Sequence, residues 1–396
     1  MAYTLLFLSA IGIITSTIFT TMAFVATWKY LLARGRRGRQ ALDFTPPVSL
    51  LKPLHGAPAH LEECLEGYFK LDYPEYEILF CARREEDAGL AIARKLAARY
   101  PQIPVRILTS GKPPWINARC YSMHLMAEAA RHDLLVATDA DVPAGPEYLR
   151  RMVAPFRDEN VGASTCVYYG YPIDGGFGEQ LEGLGMSVEM TSGVLVASML
   201  EGVRFTLGPS TAVRKAALQR IGGFQRLSGY AADDYMLGYL VAESGSTVVL
   251  SDEVIDHLIL RSGFWKSLLH QLSWMRSTRF SRPMGHLGTV LTFSVPYGLL
   301  GLIAGLLLGR PLLGLALLAF TLVLKTAHSM IVGGLVVRSR PAVLLGFLYP
   351  LRDLIGFFLW VASYWSNKLQ WHGRVFELEP GGTMHLPEPG AARASR

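Results

Sequence analysis

The two ends of this chain are too apolar to rest in water, and that restricts what the whole can fold into. Residues 3–28 form an almost uncharged run, and a bilayer is crossed by roughly 20 apolar helical residues. The run is longer than the roughly 7–15 apolar residues of a cleaved leader, and no small-residue cleavage site follows, so it reads as a retained anchor. Three more apolar runs come late, at 287–308, 312–337 and 342–366. Between the ends, residues 43–262 mix charges, glycines and short apolar runs, enough chain for one full core. The expected layout is an anchor with a basic juxtamembrane segment over 1–42, a globular domain over 43–262 and an interfacial basic and aromatic segment over 263–285. A membrane bundle over 286–370 and a polar tail over 371–396 complete it, the tail disordered from Glu379 onward.

Charge patterning adds orientation. Arg34, Arg36, Arg37 and Arg39 follow the first run, and Arg338 and Arg340 follow the third. The positive-inside rule puts both groups, and with them the globular domain, on the cytoplasmic side of a multi-pass protein. Tyr349-Pro350-Leu351-Arg352-Asp353 interrupts the last run, which therefore either crosses or dips in and returns. The formal net charge of +6 is accounted for by arginines meeting anionic lipid, and no nucleic-acid-binding motif is present, so nucleic acid is excluded as a partner. The cysteines Cys64, Cys81, Cys120 and Cys166 lack paired spacing, which argues against zinc or a disulfide framework. Lys325 and His328 lie within an apolar run, where ionisable groups are rare, and read together with Arg352 and Asp353 as lining a path for lipid.

The globular region alternates strand and helix. Strands are expected at 48–54, 76–82, 105–108 and 134–137, with helices at 60–69, 90–100 and 117–132 between them, which argues for an α/β fold with a mainly parallel sheet. No GxGxxG is present, so a dinucleotide fold is not supported. The second half shows weaker periodicity: a β-rich stretch at 164–171, an amphipathic helix at 181–199, and short helices at 213–221 and 234–244.

Directly after Leu134-Leu135-Val136-Ala137 comes Asp139-Ala140-Asp141. Open α/β sheets bind ligands at the carboxyl ends of their strands. Two carboxylates spaced i, i+2 on such a turn can hold one hard divalent cation, Mn2+ or Mg2+, with room for water and substrate oxygens. The competing interpretation is a turn that only caps the next helix. Asp87 follows the second strand, and Asp233-Asp234 precedes the helix starting at Tyr235. His270-Gln271-Leu272-Ser273-Trp274 lies in the basic segment before the second span.

In this order the sequence resembles the family 2-type glycosyltransferases directed to lipids or polymers, with their pattern D, D, D, (Q/R)xxRW, and most of all the ceramide glucosyltransferases. Leu50-Leu51-Lys52-Pro53-Leu54-His55-Gly56, Trp115-Ile116-Asn117-Ala118-Arg119, Gly208-Pro209-Ser210 and Gly222-Gly223-Phe224 support it. Bacterial hopanoid-linked glycosyltransferases are similarly close. The resemblance implies a GT-A nucleotide-sugar-binding domain with one transmembrane segment before it and about three after, in a bacterial inner membrane. It places Asp87 near the uracil of a UDP-sugar, Asn117, Arg119 and Asp139 at the donor, Asp139 with Asp141 on the metal, and Asp234 as catalytic base. His270, Gln271, Trp274 and Arg276 become phosphate, donor or acceptor contacts. One departure stands out: Ser273 occupies the place of the motif's arginine, and Arg276 or Arg279 is the nearest replacement.

The expected reaction is transfer of a hexose, glucose, from a UDP-sugar to a membrane lipid such as ceramide, with inversion at the anomeric carbon. The same fold serves hopanoid glycosylation or polysaccharide synthesis, and a catalytically inactive membrane binding protein is the alternative of another class. Locally, Asp234 and Asn117 also read as helix caps, Asp87 as a solvated loop charge, and Trp274 as an interfacial anchor.

Overall fold

The computed structural model describes residues 1–37, 43–173, 175–371 and 374–387. Arg39 and the tail beyond 387 lie outside them. The chain divides into two compact units, one of Leu32–Tyr168 with Leu200–Leu258, the other of Met1–Leu31, Tyr169–Met199 and Ile259–Arg396.

The first unit is built on a seven-stranded sheet. Its strands are β1 (Val48–Pro53), β2 (Tyr76–Ala82), β3 (Val105–Thr109), β4 (Leu134–Thr138), β5 (Val161–Pro172), β6 (Ser210–Arg214) and β7 (Thr247–Ile259). They lie in the order β3-β2-β1-β4-β6-β5-β7. β1 runs parallel to β2 and β4, β2 parallel to β3, and β6 antiparallel to β4 and β5. The sheet is therefore mixed but mainly parallel on the side expected from sequence. β6 and β7 depart from expectation: the pattern over 213–221 suggests one helix, whereas residues 210–214 pair with β4 and only Lys215–Arg220 turns helical.

Alternation within the central strands makes two cores. Val48, Leu50, Ile78, Phe80, Leu134 and Val136 point to one face, against the helices Leu61–Gly67 and Ala88–Arg99. Leu51, Leu79, Cys81, Leu135 and Ala137 point to the other, against Ala118–Ala129 and Asp233–Glu243. A period of two buries both faces only when helices cover both, as parallel crossovers provide. All four cysteines are buried and free.

The second unit is apolar and helical. Among the described residues, three helices are long and apolar enough to cross a membrane: Ala2–Gly35, Phe177–Glu201 and Pro311–Gly333. A bent pair, Pro283–Thr292 with Val295–Leu307, makes a fourth if it counts as one span; its halves meet at 47°. Two expectations change here. The helix expected to be merely amphipathic at 181–199 is long and apolar enough to span. The run at 342–366 breaks into short helices, and its longest, Tyr349–Ala362, has 14 residues, about 21 Å at the α-helical rise and short of a bilayer core. Pro341 and Pro350 each sit in the first turn of a helix, where their missing N–H costs nothing. The tail is also more ordered than expected: Met384–His385 pairs antiparallel with residues 377–378, closing a small sheet with Lys368–Trp371 and Arg374–Leu378. Lys325 does not face an open path, for its Nζ donates to Asp353 Oδ1 at 2.8 Å and to the Thr292 carbonyl at 2.8 Å. His328 likewise bonds Ser192 Oγ through Nε2 at 2.7 Å.

Candidate active site

The acidic turn leaves β4 at its carboxyl end, as the strand pattern implies. Its backbone is tied down on two sides: the Asp139 N–H donates to the Pro209 carbonyl at 3.2 Å, and Lys52 Nζ donates to the Asp139 carbonyl at 2.6 Å.

Arg119 joins this turn to the second acidic element. Its Nε and Nη2 donate to Asp139 Oδ1 at 3.2 and 3.0 Å, its Nη1 to Asp233 Oδ2 at 2.8 Å, and Nη2 also to the Gly208 carbonyl at 3.1 Å. One guanidinium thus gathers residues that lie far apart in sequence, and a rigid planar fork suits that task better than a lysine point charge. Asn117 sets it in place. Its Oδ1 accepts from the Cys120 N–H at 3.1 Å, capping the helix that carries Arg119, and its amide donates to the Tyr230 carbonyl. Asn117 is wholly buried, so it shapes the cleft through the helix it starts rather than by lining it.

Asp234 is the second residue of helix Asp233–Glu243. Its Oδ1 accepts from the Tyr235 N–H at 2.8 Å. Oδ2 lies against Gly208, where a methyl group would sit 3.0 Å away; the glycine leaves that oxygen room. Burial, then the neighbouring Asp233 carboxylate, push the Asp234 carboxyl above the ordinary carboxylate range. Arg119, Gly208, Asp233 and Asp234 line one small cleft with Phe224 and Leu237.

Asp141 meets a residue that the sequence motifs do not single out. His257 on β7 has Nδ1 3.9 Å from Asp141 Oδ1. Both atoms are buried and neither has a hydrogen-bond partner among the described residues. The Leu258 N–H donating to the Asp141 carbonyl at 3.2 Å holds β7 to the turn, and Tyr168 packs by the His257 ring at 5.6 Å. Among the described residues no three acid, histidine or cysteine side chains form a ready cation cage. An orphaned carboxylate oxygen facing an orphaned imidazole nitrogen still has the donor chemistry for a borderline divalent ion such as Mn2+. The only sequence signal is a histidine at the end of an acidic strand, and no pattern separates it from a core residue.

The remaining predicted residues have the following surroundings. Asp87 accepts from the Gly56 and Gly89 N–H groups at 3.0 and 2.8 Å, tying the turn after β1 to the helix it caps. His270, Gln271, Ser273, Trp274 and Arg276 all lie on helix Phe264–Ser281 of the apolar unit. There the His270 ring packs at a tilt against Trp274, 4.3 Å between centres, and approaches Glu182, while Gln271 donates to Ser267 Oγ. Ser273 Oγ donates back to the Leu269 carbonyl, and Arg276 and Arg279 donate to the Lys368 and Ser363 carbonyls.

A mixed, mainly parallel sheet with acids gathered at its carboxyl edge is the architecture of glycosyltransferases of the GT-A type. The fold is similar to mannosyltransferase PcManGT from Pyrobaculum calidifontis, solved in complex with GDP-Man and Mn2+, at a TM-score of 0.51 and 17% identity over 90% of this chain and 99% of that one. Residues 6–384 match glycosyl transferase family 21, and the chain belongs to that family. Caenorhabditis elegans ceramide glucosyltransferase 1 is 28% identical over 206 residues, which are 52% of this chain and 44% of that protein. Ceramide glucosyltransferase 3 of the same organism is 24% identical over 353 residues, 87% of this chain and 75% of the relative. The chain thus spans less than half the length of the first of these relatives.

Proposed function

We propose that this protein transfers a hexose, glucose, from a UDP-sugar to a hydroxyl of a membrane lipid of the ceramide class, inverting the anomeric carbon. The observation that carries the reading is the Arg119 bridge, which gathers Asp139 and Asp233 beside Asp234. Family membership and the ceramide glucosyltransferase relatives support the lipid acceptor, and the apolar helices support a membrane setting; the arginines after the first and third apolar runs favour its cytoplasmic face for the catalytic unit.

Each residue then has a task. A lipid hydroxyl is a poor nucleophile at neutral pH and needs a base within hydrogen-bond reach. Asp234 offers Oδ2 into the cleft while the Tyr235 N–H holds Oδ1, and its enclosed carboxyl takes the proton as the oxygen attacks from the face opposite the diphosphate. Arg119 fixes the distance between base and acidic turn. Asp139, Asp141 and His257 would hold a divalent cation, Mn2+ or Mg2+, which when bound supplies positive charge against the diphosphate leaving group. Asp87 is assigned to the nucleoside end of the donor, and His270, Gln271, Trp274 and Arg276 to acceptor or phosphate contacts.

The test is to incubate membranes containing the protein with a panel of labelled UDP-sugars and either cation, then extract the lipids. The expected product carries one sugar per lipid in β linkage, read by NMR. A polymer, a retained α linkage or no lipid-borne label would overturn the proposal.

A further inference from the structure

A lysine near the carboxyl end of an otherwise apolar, buried parallel strand is chemically out of place. Every other residue of β1 except Ser49 and Pro53 is a buried aliphatic, yet Lys52 is fully buried as well. Burying an ammonium without partners costs several kcal/mol. Lys52 has two: its Nζ donates to the Asp139 carbonyl and sits 3.9 Å over the centre of the Tyr68 ring. That ring belongs to a residue gripping the same turn at both ends. The Tyr68 hydroxyl bonds Thr138 Oγ1 at 2.9 Å, just before the acidic triplet, and the Val142 carbonyl at 2.9 Å, just after it.

The segment around Tyr68 follows the rest of the loop too. A methyl group on Gly67 would lie 2.6 Å from the Ala144 carbonyl, so only glycine allows that approach. The Asp72 N–H donates to the Pro146 carbonyl at 2.9 Å. Residues 67–72 therefore track residues 138–146, and Lys52 presses from the strand side.

We propose that Lys52 and Tyr68 form a brace that sets the Asp139–Asp141 turn, as positioning residues that hold the carbonyl of Asp139 and both ends of the triplet so that its carboxylates are presented in one fixed arrangement. The role in binding rests on the sugar-transfer reading above; the ordering of the turn does not. A merely structural lysine would stabilise β1 and β4 together. A brace acts on the turn while leaving the strands alone.

Lys52→Met and Tyr68→Phe in the full chain, in detergent or nanodiscs, separate the two. Amide hydrogen exchange is expected to quicken about tenfold or more at residues 138–142 in both variants, with β1 and β4 as protected as before. Mn2+ affinity in the presence of UDP should fall about 10–100-fold, the usual loss when an outer partner of a ligand is removed. Unchanged exchange in the turn, or exchange that quickens equally along β1 and β4, would overturn the brace. Wild-type protein that binds neither Mn2+ nor UDP would sink the sugar-transfer reading, while the exchange data would still decide the brace. Should Lys52→Met fail to fold, Tyr68→Phe, which keeps the ring beneath the ammonium, decides between brace and plain structural role by itself.

Discussion

Asp353, which interrupts an apolar run of the helical unit, and Asp141, which follows an apolar strand of the sheet unit, are both carboxylates in apolar surroundings, and the fold treats them in opposite ways. Asp353 is saturated: Oδ1 takes Lys325 at 2.8 Å, and Oδ2 takes the Ser294 and Val295 N–H groups at 2.8 and 2.9 Å. It thereby caps helix Val295–Leu307 at the break of the bent pair, while Lys325 satisfies the Thr292 carbonyl on the other side of that break. Asp141 leaves Oδ1 without a hydrogen-bond partner among the described residues, 3.9 Å from a His257 nitrogen that equally lacks one. A buried polar atom left unmatched costs about 1–3 kcal/mol. A fold that closes one carboxylate and leaves another open is spending stability on the open one, and the open one belongs to the candidate site.

The contrast can be broken experimentally, beginning where the effect should be largest. Asp234→Asn keeps the shape of the cleft and removes the base, so kcat is expected to drop by about 10²–10⁴-fold with little change in the KM of the donor. Near-normal turnover would take Asp234 out of the reaction. Lys325→Met should do the converse. Leaving Asp353 buried and uncompensated is expected to cost about 3–5 kcal/mol, seen as a lower unfolding temperature in detergent, with the turnover of the surviving folded protein retained. His257→Ala should weaken Mn2+ binding about 10–100-fold with a smaller loss of thermal stability than Lys325→Met, since Nδ1 makes no hydrogen bond among the described residues and the ring gives up only its packing by Tyr168; titration of Mn2+ in the presence of UDP reads this directly.

The smallest effect is in pH. Asp234 must be ionised to act as base, and its carboxyl is raised by burial and by Asp233. The rate should therefore fall as pH drops through a point above the usual carboxylate range, and Asp233→Asn, removing the like charge, should move that acid limb downward. An acid limb at the ordinary aspartate value, unmoved in Asp233→Asn, would show that another group controls the profile.

Legibility in the sequence varies along the chain. β1 to β4 are legible to within a residue and their helices to within about three, because short apolar runs between helical periods leave little choice. The acidic triplet, Asp234 and the family resemblance are visible for the same reason: they are local strings. β6 and β7 are not, since their pairing depends on strands far away in sequence, and His257 stays hidden with β7. Asn117 looks like a donor contact and is a buried cap, because cap and ligand use the same amide. Lys325 and Arg352 stand out as anomalies, yet nothing local shows that Lys325 pairs with Asp353.

What the amino-acid order determined alone is the presence of long apolar helices, the parallel half of the sheet, and the acids at its carboxyl edge, though not that residues 169–199 group with the apolar unit; hydrophobic periodicity acts over a few residues and needs no partner. Tertiary structure alone decided that Arg119 would join Asp139 to Asp233, that His257 would face Asp141, and that Lys52 would reach the turn from within a strand. Hydrogen bonds and charge pairs form over about 3 Å, a distance that is set only once separate elements have packed.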